Sequence, residues 1–455
     1  MTSPSTSDST ETLQAAVASD DRGKIKQLLS SINPTDAVHA VYRLSDLDQS
    51  RLLQALSRTE AAQLVGDLPE AQAAQMIERL PAKDAAGIVA ALPSNEQADM
   101  IARLSNFEAS QILEAMSRDE AQGAIRLMAY APDTAGGLMV TEYVAYDENA
   151  TVSDVLDDLR GNAERYRRYD VQYAYVLAEG GKLHGVLRLR DLVLSAPDEP
   201  INRLMIGNPL SVLDTGPLAE LQRFFDRHSL FGAPVVDRNG TLVGVVRGRD
   251  VEEAAEERSN RSFLKFMGIV GGEELRTMPL RSRSARRLSW LTVNILLNVV
   301  AASVIAMHQD TLAAVISLAV FLPIISDMSG CSGNQAVAVS MRELTLGLVR
   351  PSEIWRVLGK EAAIGVVNGI VLGLLLGVLG WLWQGNIMLG VVVAAALAIN
   401  TFIAVCVGGS IPLLLDRLGQ DPALAAGPIL TTITDMSGFM LVLTLASQVL
   451  PYLKT

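Results

Sequence analysis

The stretch "ITDMSG", Ile433–Gly438, repeats an earlier "ISDMSG", Ile325–Gly330. Both lie in apolar sequence. Five runs long enough to cross a membrane are predicted, at 288–307, 312–339, 362–383, 387–411 and 423–450, against the ~20 residues a spanning helix needs. Counted from Leu312 and Pro422, Asp327 and Asp435 fall roughly 20 Å into their helices, near mid-bilayer. An aspartate there costs about 2.5–3.5 kcal/mol on insertion scales. Two of them must face water, a cation or each other; the bland reading is helix packing through the glycines around protonated acids. Spans two and five run in opposite directions, so the two motifs can meet at similar depth. "GCSGNQ", Gly330–Gln335, adds Asn334 and more glycine, which suggests opened backbone lining a cavity. Carboxylate, amide and carbonyl oxygens together suit a hard cation such as Mg²⁺, which keeps much of its water and takes one or two carboxylates.

The 455 residues outside and inside these spans differ sharply in charge. Residues 1–280 carry 28 Lys and Arg against 42 Asp and Glu; residues 281–455 carry 10 against 8. The first part reads as soluble and acidic, which excludes nucleic acid as an expected partner. "MTSPSTSDSTETLQ" has no apolar core for a secretory signal, and residues 1–11 are expected to be disordered. Two cysteines, Cys331 and Cys406, cannot frame a disulfide scaffold. Four scattered histidines give no zinc spacing, and no nucleophile–base pair or phosphate loop points to an enzyme.

A dipeptide recurs every 12 residues: Leu44-Ser45, Leu56-Ser57, Leu68-Pro69, Leu80-Pro81, Leu92-Pro93, Leu104-Ser105 and Met116-Ser117. Serine caps helices and proline is accepted at the first helical position, so each step predicts a short helix. Such helices need stacking to persist, which predicts an all-α superhelical domain over 12–130. Next, "GKLHGVLRLRD" (Gly181–Asp191) matches "GTLVGVVRGRD" (Gly240–Asp250) at a 59-residue offset. Each copy follows a helix and a strand and is followed by a helix. The pair resembles tandem CBS domains over 131–257, an α/β fold that often binds adenosine nucleotides, here with Arg247 and Asp250 as candidate contacts. A connecting helix over 258–287 leads to a five-helix transmembrane domain over 288–455. Arg281, Arg283, Arg286 and Arg287 precede span one; Arg342, Arg350, Arg356 and Lys360 lie between spans two and three, and Arg417 between four and five. The other loops lack Lys and Arg, so the N-terminus is expected in the cytoplasm and the C-terminus outside.

Helical repeat, "APDTAGGLMVTEYV" (Ala131–Val144), CBS pair, and five spans carrying "GNQ" and "ITDMSG" together resemble the MgtE-type magnesium channels. The resemblance implies a multi-pass homodimer of the bacterial inner membrane, with a Mg²⁺ path at its axis lined by spans two and five. It implies pore metal contacts at Asp435, with Gly330, Gly333 and Asn334 nearby, and a further acidic position at Asp421. It also implies closure by cytosolic Mg²⁺ at Asp99, Asp250 and Glu253, with ATP as a second ligand of the CBS pair. Asp327 and Cys331 depart from the family pattern, as do Arg258 and Arg261 in the connecting segment. Asp327 adds a second acid to the path and is taken as a metal contact. Two other readings stay open: a carrier coupling Mg²⁺ or Co²⁺ to H⁺ or Na⁺, and a non-conducting membrane sensor.

Overall fold

The computed structural model describes residues 6–167, 169, 172–276 and 278–453. They fall into two units, one holding the chain up to Glu256 and the other nearly all of the chain from Glu257 onward. In the first unit the 12-residue step becomes seven helices: Asp46–Ala55, Arg58–Gly66, Glu70–Glu78, Ala82–Val89, Ser94–Arg103, Asn106–Ala115 and Arg118–Met128. Ser45, Ser57, Ser105 and Ser117 each accept a hydrogen bond from the backbone N–H three residues on. Pro69, Pro81 and Pro93 stand one place earlier than expected, at the cap itself, with φ between −54° and −56° and extended ψ. The ring's fixed φ suits the cap as well as the first turn. Leu52, Leu53, Val65, Met76, Ile77, Val89 and Ile101 form the buried stripe, each contributing about 2 kcal/mol by removal from water. The chain is already helical over Thr6–Ala18, so the disorder expected for 1–11 fails over 6–11, where Leu13, Ala16 and Val17 follow at i, i+3 and i+4 spacing and are buried. Residues 1–5 lie outside the described residues.

Two small sheets follow. The first has the order β1 (Val144–Asp147), β2 (Tyr173–Ala178), β3 (Lys182–Arg188), β4 (Ile206–Gly207); the second β5 (Val212–Leu213), β6 (Gly232–Val236), β7 (Leu242–Arg247). In both, the first pair is parallel and the next antiparallel. Each hairpin has one register shift, beside Gly185 and beside Gly244. The reason for glycine is the same twice: a Cβ on Gly244 would come within 2.6 Å of the Met139 sulfur, and one on Gly185 would strike the Met205 sulfur. Both methionines arrive on segments that precede the opposite repeat. Val140 exchanges two backbone hydrogen bonds with Val245 of β7, at 2.8 and 2.9 Å, and β4 closes the first sheet on β3. The repeats therefore trade edge strands.

The connecting helix runs over Gly248–Phe266, not 258–287. It starts directly from β7 and stops where Gly268, Gly271 and Gly272 take φ of 84°, 94° and 70°, conformations that suit glycine. The second unit then has five long helices: Leu280–Met307, Leu318–Thr345, Ile354–Gln384, Ile387–Arg417 and Pro422–Gln448, here spans one to five. Among the described residues four are apolar enough to cross a membrane by composition. Span two falls short because it carries the polar run Ser326–Asp327 to Asn334–Gln335. It also begins at Leu318 rather than 312, since Gln309–Ala314 forms a separate short helix. Span four is the central helix, with half of its most apolar window buried, against 11% for span one. Spans three and four meet along a four-residue ladder, Gly365, Gly369, Gly373 and Gly377, set against Phe402, Ala398 and Ala394. Small residues at this spacing let backbones approach closely in lipid.

Gly373 tests that packing. A Cβ there would lie 2.6 Å from the Ala394 carbonyl oxygen and 3.0 Å from the Ala398 methyl, so Gly373→Val forces the helices apart at a cost of about 1–3 kcal/mol. Thermal unfolding of the detergent-solubilised full chain is expected to show a lowered transition for the membrane unit; an unchanged melt would mean that the ladder does not hold the pair together.

Candidate functional site

Spans two and five pack antiparallel. Ile325 lies against Gly438, Gly330 against Thr434, and Gly333 against Leu430, while the Ser326 hydroxyl donates to the Asp435 carboxylate. The two copies of the repeated motif thus face each other. Asp327 is 9 residues beyond Leu318 and Asp435 13 beyond Pro422, about 14 and 20 Å along their helices. Both line one cleft of about 540 Å³, together with Ala319, Pro323, Gly330, Cys331, Asn334 and Thr431. Asp327, Cys331 and Asn334 are spaced i, i+4, i+7 and share a face of span two. The Asn334 side-chain oxygen is buried with no hydrogen-bond partner among the described residues.

The expectation of opened backbone along the glycine-rich run is not met. Span two is helical without interruption from Leu318 to Thr345. Pro323 supplies a loosened carbonyl instead: it has no N–H to give the carbonyl four residues back, that of Ala319, and both residues line the cleft. Gly333 does not line it. A Cβ on Gly333 would meet the Ala404 carbonyl at 2.9 Å and Leu430, so its role is close packing against spans four and five. Asp421 is also elsewhere, 14 residues before Asp435 at the start of span five. There it accepts from the Ala423 N–H at 3.0 Å and pairs with Lys265 at 2.8 Å.

In the first unit Asp250 is buried and held by Arg247, Nε to Oδ2 at 2.6 Å, with Arg249 3.7 Å from its other oxygen. Glu253 stands 3.8 Å from the same Arg249. Asp250 is therefore engaged by arginine and is not among the residues that line the neighbouring cavity. Asp99 is half-buried on helix Ser94–Arg103, one turn beyond Glu96. Sequence reasoning passed over Glu96, whose carboxyl is pushed above the usual carboxylate range by burial, opposed by Arg247 and reinforced by Asp250 and Glu253. It also passed over Glu142, which accepts from the Ser94 hydroxyl at 2.8 Å. Arg247 does line a cavity of about 570 Å³, whose other walls include Tyr143, Arg165, Tyr169, Tyr173, Tyr175 and Phe231. Tyr173 and Phe231 also border a second cleft of about 480 Å³ beside Arg188 and Arg190. Aromatic faces next to guanidinium groups suit a stacked base and its phosphates. The tyrosines could have been found as the alternation in "VQYAYVL", which sends Tyr173 and Tyr175 to one side of β2.

Comparison with known proteins covers the same parts. The family model described as MgtE, divalent cation transporter, matches residues 322–445; the MgtE intracellular N domain matches 32–133; the CBS domain matches 135–197 and 201–257. The magnesium transporter MgtE of Bacillus subtilis is 32% identical over 317 residues, 69% of this chain and 69% of that protein. That of Thermus thermophilus is 34% identical over 327 residues, 71% of this chain and 72% of its own. A crystal structure of the cytosolic domain of the Mg²⁺ channel MgtE in complex with ATP is 28% identical, with a TM-score of 0.50 over 54% of this chain and 99% of that one. The soluble part of a magnesium transporter, 21% identical with a TM-score of 0.51, shares the fold.

Glu96 provides a test with a definite sign. A carboxyl whose folded-state pKa is raised ionises more readily in the unfolded chain, so local stability falls as pH rises above the unfolded value of about 4.3. Glu96→Gln removes that loss. Amide exchange on helix Ser94–Arg103 in the full chain is expected to be slower than in the wild type at about pH 7, and equal to it at about pH 4. Equal exchange at both pH values would show that Glu96 ionises at no cost.

Proposed function

We propose that this chain, which belongs to the MgtE family of divalent cation transporters, conducts Mg²⁺ through a bacterial inner membrane along the cleft between spans two and five. The observation that carries the reading is that cleft: Asp327 and Asp435, from two apolar helices, line it together with Ala319, Pro323 and Asn334. Carboxylates that would be costly in lipid become useful when they accept hydrogen bonds from the water shell of a divalent ion. Among the described residues no group of three or more His, Cys, Asp or Glu side chains gathers in one chain. A second copy across a two-fold axis would double the acids, and we take the working form to be a homodimer. The arginines before span one and between spans two and three support a cytoplasmic N-terminus and a C-terminus outside.

Cytosolic Mg²⁺ closes the path by binding at acids that include Asp99, Asp250 and Glu253, Asp421 is a further acidic metal position at the start of span five, and ATP occupies the aromatic cavity beside Arg247. Because Arg247 and Lys265 already neutralise Asp250 and Asp421, Mg²⁺ must compete with side-chain cations, which weakens feedback in this chain. An ion bridge still orders the cytosolic acids: millimolar Mg²⁺ is expected to slow tryptic cleavage at Arg258 in the full chain, and digestion indifferent to Mg²⁺ would remove the sensing role.

Reconstituted uptake tests the path. Asp435→Ala is expected to reduce Mg²⁺ flux into liposomes to background. Asp327→Asn is expected to keep transport and to raise the half-saturating Mg²⁺ concentration about tenfold, a change worth about 1.4 kcal/mol. Wild-type flux in Asp435→Ala would refute the path itself. Current that fails to reverse near the Mg²⁺ equilibrium potential would favour the carrier.

A further inference from the structure

Span four carries one asparagine, Asn400, near its midpoint and fully buried. An amide at that depth costs free energy unless both its ends are bonded. Both are bonded to span five, on either side of Asp435 in sequence. Asn400 Nδ2 donates to the Thr434 carbonyl at 3.0 Å, and its Oδ1 accepts from the Ser437 hydroxyl at 2.5 Å. That carbonyl can take the amide as a second bond beside the one its own helix supplies, since it has two lone pairs. Gly438 completes the fit: a Cβ there would come within 2.7 Å of Asn400 Nδ2. Around span five, positions 434 and 438 meet Asn400 of span four, while position 435, about 100° from 434 and about 60° from 438, lines the cleft and accepts from Ser326.

We infer that Asn400 is a positioning residue for the ion path: it fixes the rotation of span five about its own axis and so aims the Asp435 carboxylate into the cleft. Among the described residues, no other side chain of a neighbouring span hydrogen-bonds the backbone of span five. Apolar neighbours such as Ile325 and Leu430 resist separation of the helices but specify rotation poorly. Asn400 is not among the residues that line the cleft. The inference rests on the proposed role of Asp435, and the two can fail separately.

The test uses the full chain in liposomes, with Mg²⁺ as the probe. Asn400→Leu keeps the volume and removes both bonds. It is expected to raise the half-saturating Mg²⁺ concentration about tenfold, with the maximal rate changed less and dimer and melting profiles near wild type. Ser437→Ala removes one bond and is mild enough to fold; a rise of about threefold is expected. The double variant should be no worse than Asn400→Leu alone. If Asp435→Ala abolishes flux while Ser437→Ala and Asn400→Leu bind Mg²⁺ as the wild type does, the positioning role is overturned and the path stands. Should Asn400→Leu not reach the membrane, Ser437→Ala alone decides between the two. A loss of maximal rate in proportion to lost folded protein, at unchanged half-saturation, would reduce Asn400 to a structural bond.

Discussion

A carboxylate is tolerated inside a hydrocarbon slab only where water or a cation reaches it, and the membrane half of this protein is arranged around that requirement. The apolar residues of spans one and three can face lipid without cost. Spans two and five cannot, because each carries an aspartate in its middle, and the fold meets the demand by setting the two motifs against each other across a cleft. The surrounding polar groups follow from the same need. Ser326 donates to one acid, and Asn400 ties down the strip of backbone that carries it. Span four is the most buried span because it must pack against both acid-bearing helices and still leave the cleft open on their far side.

Much of this was legible in the residues. The 12-residue step located seven helices to within a turn, since serine and proline act locally at helix starts. The 59-residue offset of Gly185 and Gly244 marked two like hairpins, and the repeated motif named both acids of the cleft. Other features depend on tertiary neighbours that one sequence does not display. Gly330 and Gly333 read alike, yet only Gly330 meets the cleft; helical phase and the approach of span four decide which. The glycine-rich run suggested broken helix, and packing kept it whole. Asn400 carried no signal at all, being one amide in an apolar helix whose partners lie 34 and 37 residues away.

The acidic first unit shows how charge can be misjudged from counts. Its excess of carboxylates suggests sites waiting for a divalent ion, but Asp250 has an arginine three residues before it and another one residue before it. Once the helix forms, those arginines fold back on the acid. What was overlooked is Glu96, unremarkable in sequence and made unusual by burial beside the same cluster. The neighbouring aromatic cavity shows the converse: the arginine was visible, while Tyr173 and Tyr175 of its lining belong to a strand whose facing is set by the sheet.

The traded edge strands determine how force travels along the chain. The segment leaving the helical repeats bonds at Val140 directly to Val245, three residues before helix Gly248–Phe266 begins. Strain applied through the repeats can therefore reach the root of that helix through the Val140–Val245 rung without crossing the first sheet, beside the backbone bonds that Ala135 and Gly136 make to Gly216 and Asp214. The first CBS repeat sits beside this route as a load that can stiffen or relax it, not as a link in series. A chain with untraded strands would have to pass the same displacement through both sheets in turn, losing part of it in each.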